Sequence, residues 1–215
     1  LGMDYIGASG TSTGPAAGGS FPGISSYDQA DAILRVLDHL GIAKLAAIVG
    51  ASYGGMVALA FGERYPQRVE RLIVISAADQ PHPMATAWRS VQRNIARLGL
   101  ACGCSTQALE LARALAMSTY RSPEEFAARF RAAPQMTGDR PVFPVEEYLA
   151  ARGRDYAART RPESFICLSE SIDLHQVNAT RIPVRTEVVA VREDQLVPIA
   201  DMRALTARLP DARLH

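Results

Sequence analysis

The chain has 215 residues, 48% of them hydrophobic and 21% charged, with 23 Lys plus Arg against 22 Asp plus Glu. This composition describes one globular domain, excludes a disordered chain, and leaves no basic excess for a nucleic-acid or anionic-membrane footprint, so small molecules are the expected partners. Three cysteines, Cys102, Cys104 and Cys167, are too few and too odd in number for a disulfide framework and point to a reducing, cytoplasmic setting.

In chain order, Leu1 to Tyr5 reads as the tail of a strand, with no charged n-region followed by an apolar run to mark a signal peptide. Ser26 and Gln29 are placed as a capping box before a helical stretch (Ala30, Ile33, Leu34, Leu37, Leu40) that closes at Gly41. The longest uncharged run, Leu45 to Gly62, approaches membrane-spanning length, but four glycines and a central Ser-Tyr pair make it a strand (Leu45–Val49), a turn and a helix (Tyr53–Tyr65) that stops at Pro66. A second strand, Leu72–Ser76, completes a strand-helix-strand crossover. Both strands, and a third at Thr186–Val191, lack polar alternation and are expected to be buried on both faces of a parallel sheet.

Between Gln80 and Ile182 no strand is expected. Helices are read at about Met84–Leu98, Thr106–Met117, Glu124–Arg131, Val145–Arg159 and Glu163–Leu174, with capping boxes from Ser122 to Glu125 and from Thr160 to Glu163, and Pro134–Pro144 as a flexible connection. About a hundred residues between two core strands are too many for a loop and enough for a lid. The chain therefore divides into a first core part (1–80), a helical insertion (81–182) and a second core part (183–215), where a helix at Ala200–Leu209 and a Pro210-Asp211 turn lead into a new strand.

Gly50-Ala51-Ser52-Tyr53-Gly54 follows a buried strand and opens a helix, the setting that a G-x-S-x-G nucleophile elbow requires. Such a turn lifts the Ser52 hydroxyl to the carboxyl end of the sheet and aims the Tyr53 backbone N–H at the oxyanion of a tetrahedral intermediate. The opposing interpretation is a tight turn whose serine merely caps the helix. A serine alcohol needs a base, supplied in this architecture by a histidine oriented by a carboxylate in the order Ser, Asp, His. Asp194, in the loop after the third strand, is the candidate carboxylate, with Glu193 as its neighbouring competitor. Of four histidines only His215 follows Asp194, and it enters a strand rather than the loop beyond one. His215 is given no role, His39, His82 and His175 are read as structural or solvated, and the catalytic histidine is expected past the end of this chain.

With these residues in place, the chain resembles the homoserine O-acyltransferases of the α/β-hydrolase superfamily. The resemblance rests on Gly10-Thr11-Ser12-Thr13-Gly14-Pro15, Gly50 to Met56, Val91-Gln92-Arg93, Thr119-Tyr120-Arg121-Ser122-Pro123-Glu124-Glu125-Phe126 and the Ser169-Ile172-Asp173 region. It implies an α/β-hydrolase fold, with a mostly parallel sheet, helices on both faces and an inserted helical lid. It further implies Ser52 as nucleophile, Asp194 as triad carboxylate, Arg93 as a ligand for the amino acid's carboxylate, and a piece lacking both termini of the family's pattern. Arg89 and Arg93 are four residues apart and share a helix face, and a guanidinium fork suits a carboxylate, although a solvated row continuing to Arg97 reads equally from the spacing.

The activity implied is transfer of an acyl group from acyl-CoA to L-homoserine through an acyl-serine, in methionine biosynthesis. Arg89 favours succinyl over acetyl, because a succinyl carboxylate needs a cationic partner inside a closed pocket. Homoserine O-acetyltransferase, serine O-succinyltransferase and an esterase or thioesterase using water are the alternatives, and a non-catalytic binding protein is a further one. No metal or cofactor is expected beyond the acyl-CoA co-substrate: Cys102-x-Cys104 has no companion ligands and Gly7 to Gly14 fits neither a dinucleotide nor a phosphate loop. The resemblance also suggests a homodimer.

Overall fold

A computed structural model describes residues 1–215. Its order is α1 (Ser26–His39), β1 (Ile48–Ala51), α2 (Tyr53–Arg64), β2 (Arg71–Ile75), α3 (Pro83–Ala101), α4 (Ser105–Ser118), α5 (Pro123–Phe130), β3 (Gln135–Thr137), β4 (Arg140–Val142), α6 (Pro144–Ala157), α7 (Pro162–Asp173), β5 (Arg185–Val189), α8 (Ile199–Arg208) and β6 (Ala212–Leu214). The main sheet runs β1-β2-β5-β6, every pair parallel, with Ala51 level with Ile75 and Ile75 level with Val189. The carboxyl ends of β1, β2 and β5 therefore lie side by side.

The core forms where α1, α2 and α8 meet the sheet. Leu72, Val74, Thr186 and Val188 are fully buried, and α2 from Val57 to Phe61 is buried nearly all round. The expected lack of alternation does not carry through to burial. Ile73, Ile75 and Val189 are half-buried, and Val49, on a strand paired only with β2, is 61% exposed. The first strand also begins later than Leu45, which reaches Val69 through an isolated bridge.

All five expected helices appear between β2 and β5, but two short strands appear there as well: β3 and β4 pair antiparallel within the stretch read as a flexible connection. They are almost wholly exposed and β4 contains Pro141, so neither hydrophobic alternation nor β-propensity marks them.

Two caps also differ. The α1 cap is Ser25 with Asp28, one residue earlier than expected: the Asp28 carboxylate accepts from the Ser25 N–H at 2.7 Å. Ser26 and Gln29 serve tertiary contacts instead. Gln29 pairs both ways with the Ile6 backbone at 2.9 Å, next to Gly7, whose N–H donates to the Thr13 carbonyl at 2.8 Å. At α7 the cap is Arg161, with Pro162 opening the helix and no side-chain bond from Thr160 to its backbone. Ser122 caps α5 as expected, accepting from the Glu125 N–H at 3.2 Å.

His175, just beyond α7, is a structural residue. Its Nε2 meets the Ala78 carbonyl at 3.1 Å, and because a carbonyl only accepts, that nitrogen carries the proton and Nδ1 accepts from the Ser26 hydroxyl at 2.6 Å. The ring thus ties the start of α1, the segment after β2 and the end of α7 together. Burial pushes its pKa down to about 4, from an ordinary 6.5. The folded state holds the neutral ring, so this stabilisation is complete above pH 6.5 and is lost as pH falls toward 4, by about 3 kcal/mol. Urea midpoints measured from pH 7.5 to 4 should show that loss, and His175→Gln should flatten it.

Candidate active site

The β1-α2 junction is built by close approach. A Cβ on Gly50 would lie 2.1 Å from the Gly54 carbonyl oxygen, and one on Gly55 would lie 2.6 Å from the Ala77 side chain. With those two positions stripped of side chains the chain reverses within one residue, and Ser52 takes φ 51° and ψ −121°. For a residue other than glycine that backbone costs on the order of 1–3 kcal/mol, a feature that gathers at active sites. The Ser52 N–H donates to the Ile75 carbonyl at 2.8 Å, so the strained residue is held by the neighbouring strand.

Ser52 makes no side-chain cap to α2, which removes the capping interpretation, and it is exposed rather than packed among apolar groups. Tyr53 opens α2, where an N–H has no intrahelical acceptor. The Tyr53 ring is buried against Tyr5, with centroids 4.9 Å apart, and its hydroxyl bonds Ser171 of α7. Burial pushes the Tyr53 phenol up to about 12, outweighing the lowering by the Ser171 hydrogen bond, so it stays protonated.

Asp194 and Ser52 line one cleft of about 590 Å³. The Asp194 Oδ1 accepts from the backbone N–H groups of Leu196 at 2.8 Å and Val197 at 3.1 Å, which fixes the carboxylate at the start of its turn. Glu193 lines the same cleft but is exposed and has no such anchor. Over the cleft lies the Thr119–Ser122 segment joining α4 to α5, tied down by Gln195, whose amide donates to the Arg121 carbonyl at 3.3 Å.

No histidine of the 215 residues bonds Ser52 or Asp194. His215 pairs with Glu187 at 2.7 Å. His82 borders a smaller cavity of about 80 Å³ together with Ser52, but its Nδ1 accepts from the Met84 N–H at 3.2 Å as the cap of α3.

Arg89 and Arg93 separate. Arg89 reaches that smaller cavity beside Ser52, whereas Arg93 borders neither it nor the larger cleft. Arg93 is buried, and its Nη1 bonds the Ser169 hydroxyl at 3.0 Å and the Asp173 carboxylate. Asp173 also takes Arg89, from Nε at 2.8 Å and Nη2 at 2.6 Å. Burial works to raise the Asp173 pKa, but hydrogen bonds and charge from the two arginines outweigh it and hold the carboxyl below its ordinary value. Arg97 pairs with Glu170, so the row of three arginines is an interhelical ladder against α7 rather than a solvated face. Asp173 and Ser169 are the residues that spacing along α3 could not reveal.

Three arginines face two carboxylates in this ladder, leaving one positive charge in excess. Arg89, only 15% exposed, lines the smaller cavity together with Ser52. An anion entering the cavity meets a held, partly desolvated guanidinium.

A family model described as the alpha/beta hydrolase fold matches residues 1–215. The chain belongs to that family. Within it, the chain is similar to homoserine O-succinyltransferase of Xanthomonas campestris pv. campestris, 44% identical over 97% of this chain and 54% of that protein. Homoserine O-acetyltransferase of Thermus thermophilus is 37% identical over 79% of this chain and 43% of its own length. The chain thus spans about half the length of these curated relatives. A crystal structure of homoserine o-acetyltransferase from Staphylococcus aureus superposes with a TM-score of 0.80 at 23% identity, over 99% of this chain and 63% of that one, and shares the fold. The resemblance drawn from the elbow and its companion motifs accordingly holds.

The elbow makes a steric prediction. Gly50→Ala should be severely destabilising, by about 4 kcal/mol or more, because its Cβ meets backbone. Gly54→Ala faces only the movable Tyr5 hydroxyl at 3.2 Å and should keep near-parental stability, as thermal melts of the two variants will report.

Proposed function

We propose that the full-length protein transfers a succinyl group from succinyl-CoA to the hydroxyl of L-homoserine by a ping-pong mechanism. Ser52 attacks the thioester carbonyl, the backbone N–H of Tyr53 stabilises the oxyanion, and CoA leaves with the acyl group on the serine. The homoserine hydroxyl then attacks the acyl-serine, releasing O-succinyl-L-homoserine, an intermediate of methionine biosynthesis, and restoring Ser52. Asp194 holds the imidazole that takes and returns the proton, and that imidazole comes from a residue outside the 215 described. No metal or redox cofactor enters these steps. The chemistry suits a cytoplasmic enzyme, and a second copy of the chain is its proposed partner.

The observation that carries this reading is the exposed, backbone-strained Ser52 beside Arg89, whose one carboxylate partner, Asp173, is shared with Arg93. An acetyl group brings no charge to that guanidinium, whereas a succinyl carboxylate neutralises it. The role proposed for Arg93 changes accordingly: with its guanidinium taken up by Asp173 and Ser169, it acts on ligands by fixing Asp173 and hence Arg89. The helical segment from α3 to α7 is the proposed lid, keeping water from the acyl-serine so that an amino acid outcompetes hydrolysis.

Similarity to acetyl- as well as succinyltransferases supports acetyl-CoA as the second reading. The decisive measurement is a matrix of acetyl- and succinyl-CoA against homoserine, serine and water, using full-length protein. Ser52→Ala should abolish both CoA release and product formation. Arg89→Leu should lower kcat/KM for succinyl-CoA by about tenfold or more and leave acetyl-CoA use much less affected, while equal losses refute the donor argument.

A further inference from the structure

Only two residues other than glycine hold a left-handed φ in this chain: Ser52 at 51° and Ser76 at 46°. They stand at the ends of adjacent strands, because Ala51 is level with Ile75 in the β1-β2 pair. The Ser76 N–H donates to the Val189 carbonyl of β5 at 2.9 Å, so Ser76 is locked between the nucleophile strand and the strand that leads to Asp194. An imidazole reaching from Asp194 to Ser52 must cross the end of β2, where Ser76 sits.

Glycine would adopt this backbone without strain. What serine adds is a hydroxyl, half-buried in the cleft that holds Ser52 and Asp194, with no hydrogen bond inside the chain. The Asp194 carboxylate has a matching vacancy: Oδ1 takes two backbone N–H groups, and Oδ2 takes none.

We infer that Ser76 is a positioning residue of the acyl-transfer machinery: with the imidazole in place between Ser52 and Asp194, the Ser76 hydroxyl turns to the free oxygen of Asp194 and holds that carboxylate in line. The inference rests on the acyl-serine reading above. It accounts for a strained serine at a position where an unstrained glycine would satisfy the fold, since strain persists at sites whose surroundings over-determine it for function.

The test compares Ser76→Ala, which removes the hydroxyl and keeps the strain, with Ser76→Gly, which removes both, in full-length protein. Both should lower kcat about tenfold with KM for donor and acceptor within about twofold, and Ser76→Gly should raise Tm by about 2–4 °C. A carboxylate that has lost a hydrogen-bond donor attracts the imidazolium more strongly, so the acid limb of the kcat/KM profile should move to higher pH in both variants. If Ser76→Gly is more stable with kcat and the acid limb unmoved, Ser76 is only a turn residue and the inference is overturned. A rise in KM at constant kcat overturns it as well, by making Ser76 a substrate contact. Ser52→Ala assayed alongside keeps the two claims apart: turnover surviving in that variant overturns the acyl-serine reading itself, whatever the Ser76 variants do.

Discussion

The near-contact between the Gly50 Cα and the Gly54 carbonyl governs the geometry of the site. A chain that must leave a parallel strand and enter a helix across a single intervening residue has one hinge, and close packing at positions 50 and 55 leaves that hinge to Ser52. Once Ser52 has a positive φ, its side chain is directed away from α2 and cannot cap it. The N–H groups of Tyr53 and Gly54 then stay open to whatever binds above them, with the favourable end of the helix dipole behind. Strain, exposure and open backbone donors are three consequences of one steric constraint.

Helix α7 is the element that relates this hinge to the segment above it. Along one run it contributes Ser169 and Asp173 to the arginines of α3 and Ser171 to the Tyr53 hydroxyl, and His175 follows immediately. The ion pairs it makes are unequal. Arg97 and Glu170 are nearly half exposed, and such a pair contributes about 0.2–1 kcal/mol. Asp173 and its two arginines are only 11–15% exposed, so removing the carboxylate would leave two desolvated cations facing each other. The inner pairs therefore fix the register of α3 on α7, and the outer one only adds to it.

How much of this the sequence disclosed depends on the range of the interaction. The elbow was legible because its constraint lies within a few consecutive residues and admits almost no other side chains. Asp194 followed from the order of strands and from the rule that ligands collect at their carboxyl ends. The spacing of Arg89, Arg93 and Arg97 correctly placed them on one face, but their partners on α7 lie 73 to 84 residues away, and nothing local names a carboxylate at that distance. The α1 cap slipped by one because Ser25 and Ser26 are both competent, and the buried ring of His175 decides which hydroxyl is free to cap. Ser76 left no trace in the sequence at all: a left-handed glycine advertises itself, whereas a left-handed serine is visible only in the backbone.

The two unbalanced features of the site have the same logic. Ser52 and Ser76 hold backbone conformations that the isolated residues disfavour, and Arg89 holds a charge that its single carboxylate, already shared with Arg93, does not cancel. Each is a cost borne by the fold, and a well-packed protein with no ligand to accommodate would lower its free energy by placing glycine at position 76 or an uncharged side chain at position 89. In the proposed reaction each cost is offset where the chemistry occurs, the strain by a nucleophile and carboxylate fixed before substrate arrives, and the surplus charge by a substrate carboxylate. Because the strained serines and the surplus cation border two cavities that share Ser52, while every other non-glycine residue keeps a negative φ, the departures from local optimality mark the same place that the elbow does.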